Sequence, residues 1–257
     1  MDSPQYQRIT YREADATARV TLNRPEKRNA LDIQTVDELK AAFAVARDAT
    51  DVRAVLLEGA GTDFCSGADL SAIQRIAEGD ILDNREDARS MMELFLLMRQ
   101  IPKPVVAAVR GRALAGGCGL ATACDIVLAA RSSQFGYPEV RIGFVPAMVM
   151  AILRRSVSEK VAFELIATGE SITAERAASI GLVTRVLPDD GFEGSVADYM
   201  AGLVRNSSSA VALSKYLLYH IDGMTFDAAI SAGADLNAVA RMTDDCRAGI
   251  ARFLKRP

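Results

Sequence analysis

Residues 103–125, KPVVAAVRGRALAGGCGLATACD, run from an apolar β-type stretch, Val105–Val109, into a glycine-dense turn placed where a helix begins. Unpaired backbone N–H groups at such a point form a ready anion site. Upstream, Ser66-Gly67-Ala68-Asp69 reads as a second glycine turn. Downstream, Phe135-Gly136-Tyr137-Pro138-Glu139 sets one carboxylate on a proline-stiffened loop. Each piece has a plain reading of its own: a tight strand-to-helix connection, an Asp69 helix cap, a solvated surface glutamate. Together, in this order and separation, they offer two backbone donors for an oxyanion and one group to move a proton.

Around this stretch the chain alternates strands and helices. A hairpin is expected from residues 7–12 and 18–22, around a polar turn near Ala14-Asp15-Ala16, with Pro25 ending the run. Asp32 stands where it caps the next helix, in which Val36, Leu39, Phe43 and Ala46 recur at helical spacing. Residues 54–58 form a short buried strand. A helix over 91–101 then leads to the Val105–Val109 strand, a short helix at Gly116–Ala123 and a strand over 125–130. The polar segment 76–89 breaks the periodicity and reads as a mobile loop. The fold class is mixed α/β, without a detectable sequence period. Composition shifts near Leu187-Pro188-Asp189-Asp190-Gly191, beyond which helices are expected over 195–205, 208–221, 225–241 and 244–254. The division is accordingly a core of residues 1–190 and a helical region of 191–257.

Half of the 257 residues are hydrophobic, a quarter are charged and the net charge is −3, so no basic face speaks for nucleic acid. No apolar run approaches the ~20 residues of a membrane span, and the polar opening has no secretory pattern. The four cysteines, Cys65, Cys118, Cys124 and Cys246, show no CxxC spacing, which fits a reduced, cytoplasmic protein. With His220 as the single histidine, no metal site is expected, and His220 reads as structural or exposed. Cys118 beside the glycine turn invites a Cys–His hydrolase reading, against which the one distant histidine counts. The dinucleotide fingerprint fails because Thr122 stands where its third glycine or alanine belongs, and no P-loop lysine follows.

The motifs resemble the crotonase superfamily, the enoyl-CoA hydratase/isomerase family, over nearly the whole chain. The resemblance begins at Thr21-Leu22-Asn23-Arg24-Pro25-Glu26-Lys27-Arg28-Asn29-Ala30-Leu31 and continues through Phe64-Cys65-Ser66-Gly67-Ala68-Asp69. It passes through residues 103–125 and Gln134-Phe135-Gly136-Tyr137-Pro138-Glu139, and ends at Phe253-Leu254-Lys255-Arg256-Pro257. It implies a spiral of ββα units with a helical C-terminal region that drives trimers, often paired as hexamers. It implies an acyl-CoA thioester as substrate, with coenzyme A carried on the substrate and no separate cofactor, and no nucleic acid or membrane partner. The family's oxyanion hole falls on the backbone N–H groups of Ala68 and Gly116, and its downstream catalytic carboxylate on Glu139. Coenzyme A contacts fall on Lys27, Arg28, Ala68, Asp69, Leu70 and Gly116, with Phe253 and Lys255 reaching a neighbouring subunit's ligand.

One departure bears on the reaction. Two-carboxylate hydratases of the family carry a glutamate where this chain has Gly119, and the segment Val145-Pro146-Ala147-Met148-Val149-Met150 is bulkier and more apolar than the family's glycine-rich run. A reshaped acyl pocket follows. Hydration of 2-enoyl-CoA through a thioester enolate is the leading expectation. Single-glutamate Δ3,Δ2-enoyl-CoA isomerisation, non-catalytic acyl-CoA binding and thioester hydrolysis stand beside it. Asp80, Asp83 and Glu86 are candidates for a second acid.

Overall fold

The computed structural model describes residues 6–255. Strands β1 (Ile9–Ala14) and β2 (Thr17–Leu22) pair antiparallel around Asp15-Ala16, both at positive φ (49° and 58°). That turn backbone matches the right-handed twist of the strands it joins. Along β2 the side chains of Ala18, Val20 and Leu22 are buried and those between them half-exposed, so one face meets the core.

From β2 onward the larger sheet is parallel, in the order β1-β2-β3-β4-β6-β9, with β3 (Ala54–Gly59), β4 (Val105–Val109), β6 (Ile126–Ala130) and β9 (Arg185–Leu187). Strand β4 is buried along its whole length, as interior parallel strands are when both faces are covered. A smaller sheet holds β5 (Arg112–Leu114), β7 (Gln134–Gly136) and β8 (Ser171–Thr173). The repeating ββα unit is visible here. β4 enters the larger sheet, β5 the smaller, and helix α4 (Gly116–Ala123) closes the turn; β6 and β7 repeat the step and lead into a 3-10 turn at Pro138–Ile142.

Alternate residues of the central strands serve two cores. Val55, Leu57, Val105, Ala107 and Val109 face one side, where helix α1 (Ile33–Asp48) brings Leu39 and Phe43 and the smaller sheet brings Phe135. Ala54, Leu56, Val106 and Ala108 face the other side, against Phe192, Val196 and Met200 of the C-terminal region's first helix (Phe192–Leu203). Asp32 caps α1 by accepting from the Thr35 N–H and hydroxyl.

Residues 76–89 are a correction to the expected loop. They hold the end of α2 (Leu70–Glu78) and the start of α3 (Ile81–Gln100). Asp80 caps α3 and its Asp83 returns a bond to the Asp80 N–H, a full capping box. Sequence periodicity fails there because Gly79-Asp80 separates two helices of different register, and their polar residues are solvent faces.

Beyond the 3-10 turn lie α5 (Ala147–Ser156), α6 (Glu159–Thr168) and α7 (Ala174–Ser179). The C-terminal helices are α8 (Phe192–Leu203), α9 (Ser208–His220), α10 (Phe226–Arg241) and α11 (Asp244–Leu254). Helix α8 covers one face of the larger sheet, and α9 is fastened through Lys215. That buried ammonium donates to the Met98 and Lys103 carbonyls and to Asp125, whose other oxygen accepts from the Tyr219 hydroxyl. Helices α10 and α11 pack on α9 and leave Phe226, Ile230, Val239 and Met242 exposed. His220 is exposed and stacks on Tyr216 at 4.9 Å between ring centroids. Among the described residues no helix is long and apolar enough to cross a membrane.

Removing one partner of a buried ion pair strands the other, at a cost of about 3–5 kcal/mol. Lys215→Ala is therefore expected to lower unfolding free energy by about that amount, read from the urea midpoint at unchanged slope.

Candidate active site

Three chain segments meet at the site, and the opening motif holds the first in place. Arg24 is buried: its Nη1 donates to the Ala30 carbonyl (2.6 Å) and lies 3.2 Å from Asp32, while Nη2 donates to Asp69 (2.7 Å). Asp69 also caps α2 by accepting from the Ser71 N–H and hydroxyl. Burial works against its charge, yet the Ser71 and Arg24 hydrogen bonds outweigh that and hold its carboxyl well below the usual range.

The Ser66–Asp69 turn runs parallel to residue 31. Leu31 N–H donates to Gly67 O (2.7 Å) and Asp69 N–H to Leu31 O (2.8 Å). In such a bridge the residue between, Ala68, turns its own N–H away from the pairing strand. On the other side Cys65 bridges Ala113, with Cys65 N–H donating to Arg112 O and Leu114 N–H to Cys65 O, both 3.0 Å. The turn is thus pinned from two sides.

Gly67 sits at φ +98°, and a Cβ there would lie 2.9 Å from the Ala115 Cβ and 3.6 Å from Gly116 N. The Ala68 turn and the start of α4 are therefore in contact. Ala115, which precedes α4, holds φ 49° and ψ −128°, a conformation that costs a non-glycine residue roughly 1–3 kcal/mol. Its own N–H is paired with Gly136 O (2.9 Å). The next N–H, that of Gly116, is left at the first position of α4. Among the described residues neither Ala68 N–H nor Gly116 N–H has an acceptor; Ala68 is exposed and Gly116 half-buried. Two adjacent, open donors result. At Gly117 a Cβ would fall 2.4 Å from Cys65 O, so only glycine lets α4 approach the turn this closely.

The carboxylate arrives from the third segment. Glu139, in the Pro138–Ile142 turn, is 8% exposed, and its Oε2 has no hydrogen-bond partner. Burial pushes its pKa up, partly offset by its own backbone N–H. It lies close enough to α4 for its charge to raise the Cys118 thiol. A buried carboxyl with an unengaged oxygen is a proton carrier in waiting.

Gly119 lies one turn along α4 from Gly116, on the same face. A Cβ there would fall 2.6 Å from Val149 Cγ2 and 3.5 Å from Phe95 Cζ. Val149 of α5 and Phe95 of α3 fill the space a side chain at 119 would need. Val149 belongs to the apolar 145–150 segment in which the sequence signals a reshaped pocket. Phe95 and Arg24 carry no comparable signal, since they come from a helix interior and from a motif read for its lysine.

The remaining predicted residues divide. Lys27 and Arg28 are exposed beside the Ala68 turn, Lys27 3.4 Å from Asp69. Leu70 is 83% exposed at the first turn of α2. Asp69 has its carboxylate committed to Arg24 and Ser71. Phe253 and Lys255 are exposed at the far end of α11, where the Lys255 N–H donates to the Phe253 carbonyl, and among the described residues the Lys255 ammonium makes no hydrogen bond or ion pair; Arg256 and Pro257 lie outside the described residues. Asp80 and Asp83 are spent on the α3 cap, and Glu86 is exposed on the same helix. Cys118 is fully buried with its thiol pushed up to about 12, and the single histidine is on an exposed helix end, so no thiolate nucleophile forms here.

The model of the enoyl-CoA hydratase/isomerase family matches residues 12–257. A Thermus thermophilus protein named "Putative enoyl-CoA hydratase" is 39% identical over 246 residues, covering 95% of this chain and 97% of the relative. A crotonyl-CoA hydratase of Syntrophomonas wolfei is 32% identical over 253 residues, with 98% and 96% covered. The crystal structure of an enoyl-CoA hydratase from Mycobacterium smegmatis superposes with a TM-score of 0.92 at 29% identity, covering 97% and 96% of the two chains. The fold is that of the crotonase superfamily. The chain belongs to the enoyl-CoA hydratase/isomerase family, and its activity is of that enzyme type.

Overpacking a filled site costs about 1–3 kcal/mol, more than alanine gains over glycine in a helix, about 1 kcal/mol. Gly119→Ala is expected to lower the melting temperature. Val149→Ala in the same chain is expected to recover most of the loss, and thermal melts of the two variants check this.

Proposed function

We propose that the chain hydrates 2-enoyl-CoA thioesters through an enolate, with Glu139 as its one catalytic carboxylate. The buried, unengaged Oε2 of Glu139 carries this reading, beside two backbone donors that no other group uses. The thioester oxygen would accept from Ala68 N–H and Gly116 N–H. An acyl α-carbon holds negative charge only when such donors are preorganised, and losing one costs about 2.7–4 kcal/mol in the barrier. The α4 N-terminus adds a favourable dipole.

In the forward step Glu139 takes a proton from water as the oxygen bonds to C3 and the C2=C3 electrons move onto the thioester. The enolate then collapses as Glu139 returns a proton to C2. One carboxyl group accepts and donates in turn, so the proton count closes without a second acid. A pKa raised by burial suits that double duty. Lys27 and Arg28, exposed beside the turn, would meet the coenzyme A phosphates, and Leu70 would line the path of the acyl-CoA. The apolar residues left open on α10 and α11 support self-association as a trimer or hexamer, through which Phe253 and Lys255 would reach a neighbour's ligand.

A second reading, Δ3,Δ2-enoyl-CoA isomerisation, is favoured by the packing at Gly119. Val149 and Phe95 set hydrocarbon where a second carboxylate would stand, and a single carboxylate suffices to take a proton from C2 of a 3-enoyl thioester and return one at C4, leaving the double bond at C2=C3.

Crotonyl-CoA absorbance, with the product identified by mass, decides between the readings. Loss of the conjugated signal with gain of one water supports hydration, whereas turnover of 3-enoyl-CoA alone supports isomerisation. Glu139→Gln is expected to lower kcat by about 10²–10⁴-fold in either reaction, with coenzyme A binding retained; full activity would remove Glu139 from the mechanism. As a base it must be ionised, so kcat/KM should rise with pH through a midpoint above the ordinary glutamate value of 4.5.

A further inference from the structure

Tyr137 stands two residues before Glu139, fully buried, as the residue that opens the Pro138–Ile142 turn. Its hydroxyl lies 3.2 Å from Thr122 Oγ1, in the last turn of α4. Thr122 Oγ1 is also within hydrogen-bond reach of the carbonyls of Cys118 (2.9 Å) and Gly119 (3.2 Å). The phenol and the Thr122 hydroxyl share this hydrogen bond, and the Cys118 thiol faces the same phenol. Together with Ala115 N–H on Gly136 O, this fastens the carboxylate-bearing segment to α4 at both ends of the helix. One end of that helix presents the Gly116 donor. Among the described residues neither side chain hydrogen-bonds to the open donors or to the Glu139 carboxylate, so the mechanism above leaves this buried phenol without a task.

We propose that Tyr137 is a positioning residue: its hydrogen bond to Thr122 sets Glu139 at its working distance from the Gly116 donor. The inference rests on the enolate chemistry proposed above. A rigid link matters because an error of about 1 Å in the placement of a reacting group costs on the order of 10²-fold in rate. The groups whose charge couples to Glu139 are Cys118 and Tyr137 themselves, both fully buried and shifted far towards their neutral forms, so the link is held by geometry.

The test is a cycle of Tyr137→Phe and Thr122→Val, singly and together, with Thr122→Ser as the conservative variant. Each single variant should lose about 10–100-fold in kcat with KM within about twofold, since the phosphate contacts and backbone donors are untouched. The double variant should be no slower than the poorer single one, and Thr122→Ser should keep the wild-type rate. A residue with only a structural part would lower the melting temperature and leave kcat of the folded enzyme alone. Wild-type kcat in Tyr137→Phe, or losses that multiply in the double variant, would overturn the proposal.

A second readout needs no turnover. In protein labelled with carbon-13 at the glutamate carboxyl, the Glu139 titration should fall back towards the ordinary range in Tyr137→Phe and Thr122→Val as the segment loosens towards water. It should stay raised in Thr122→Ser. If the wild type turns over no enoyl-CoA, the functional reading fails separately, and an unchanged Glu139 titration in Tyr137→Phe would then sink the positioning role.

Discussion

Two neighbouring backbone N–H groups, those of Ala68 and Gly116, stand without an acceptor among the described residues, and most of the local architecture follows from that constraint. A lone donor would find a carbonyl within a helix or a sheet. Here each is denied one by its neighbours: Leu31 bonds to either side of Ala68, and Gly136 takes the N–H just before Gly116. The backbone at Ala115 is held in an unfavourable region to turn the Gly116 N–H outward. The surrounding bonds, above all the buried Arg24–Asp69 pair at 2.7 Å, supply the rigidity that keeps this arrangement from relaxing. In the proposed reaction such donors would leave no reorganisation for the moment of reaction.

The carboxylate is governed by the opposite condition. Glu139 is withdrawn from water and given almost nothing to bond with, so its charge is destabilised until a substrate or a water arrives. Donors with no acceptor and an acceptor with no donor sit on adjoining segments. Val149 and Phe95 complete the site by closing the face of α4 beyond Gly116 with hydrocarbon. The reaction a site of this kind performs depends on where water is admitted, and the Gly119 face is where this chain differs from the two-carboxylate pattern.

Much of this was legible in the residues alone. The strand–glycine–helix stretch at 103–125, the Asp32 and Asp69 caps and the four C-terminal helices all announce themselves by local chemistry: apolar runs, capping side chains, glycine at a helix start. The elements found there agree to within a few residues at their ends. Segment 76–89 did not, because a helix break between two amphipathic helices looks like lost periodicity, and only the Asp80–Asp83 capping box reveals the restart. Arg24 was also hidden. An arginine in a charged motif reads as solvent-facing until the chain folds a buried aspartate from 45 positions away onto it. The Tyr137–Thr122 bond is another such case, as each residue alone looks like ordinary core.

The Lys215–Asp125 pair has a consequence for how the chain is made. Asp125 sits at the entrance to β6, the strand beside the sheet's edge strand β9, while its counter-ion is 90 residues further on. At ribosomal rates of about 5–20 residues per second, the emerging polypeptide carries that aspartate for roughly 5–20 seconds before any lysine can neutralise it. During that interval β9 and then α9 are added, and until Lys215 arrives the Asp125 carboxylate lacks the cation that pairs with it in the finished fold. The chain should hold off from premature collapse until α9 has left the exit tunnel, and this is the window in which a chaperone has most to bind.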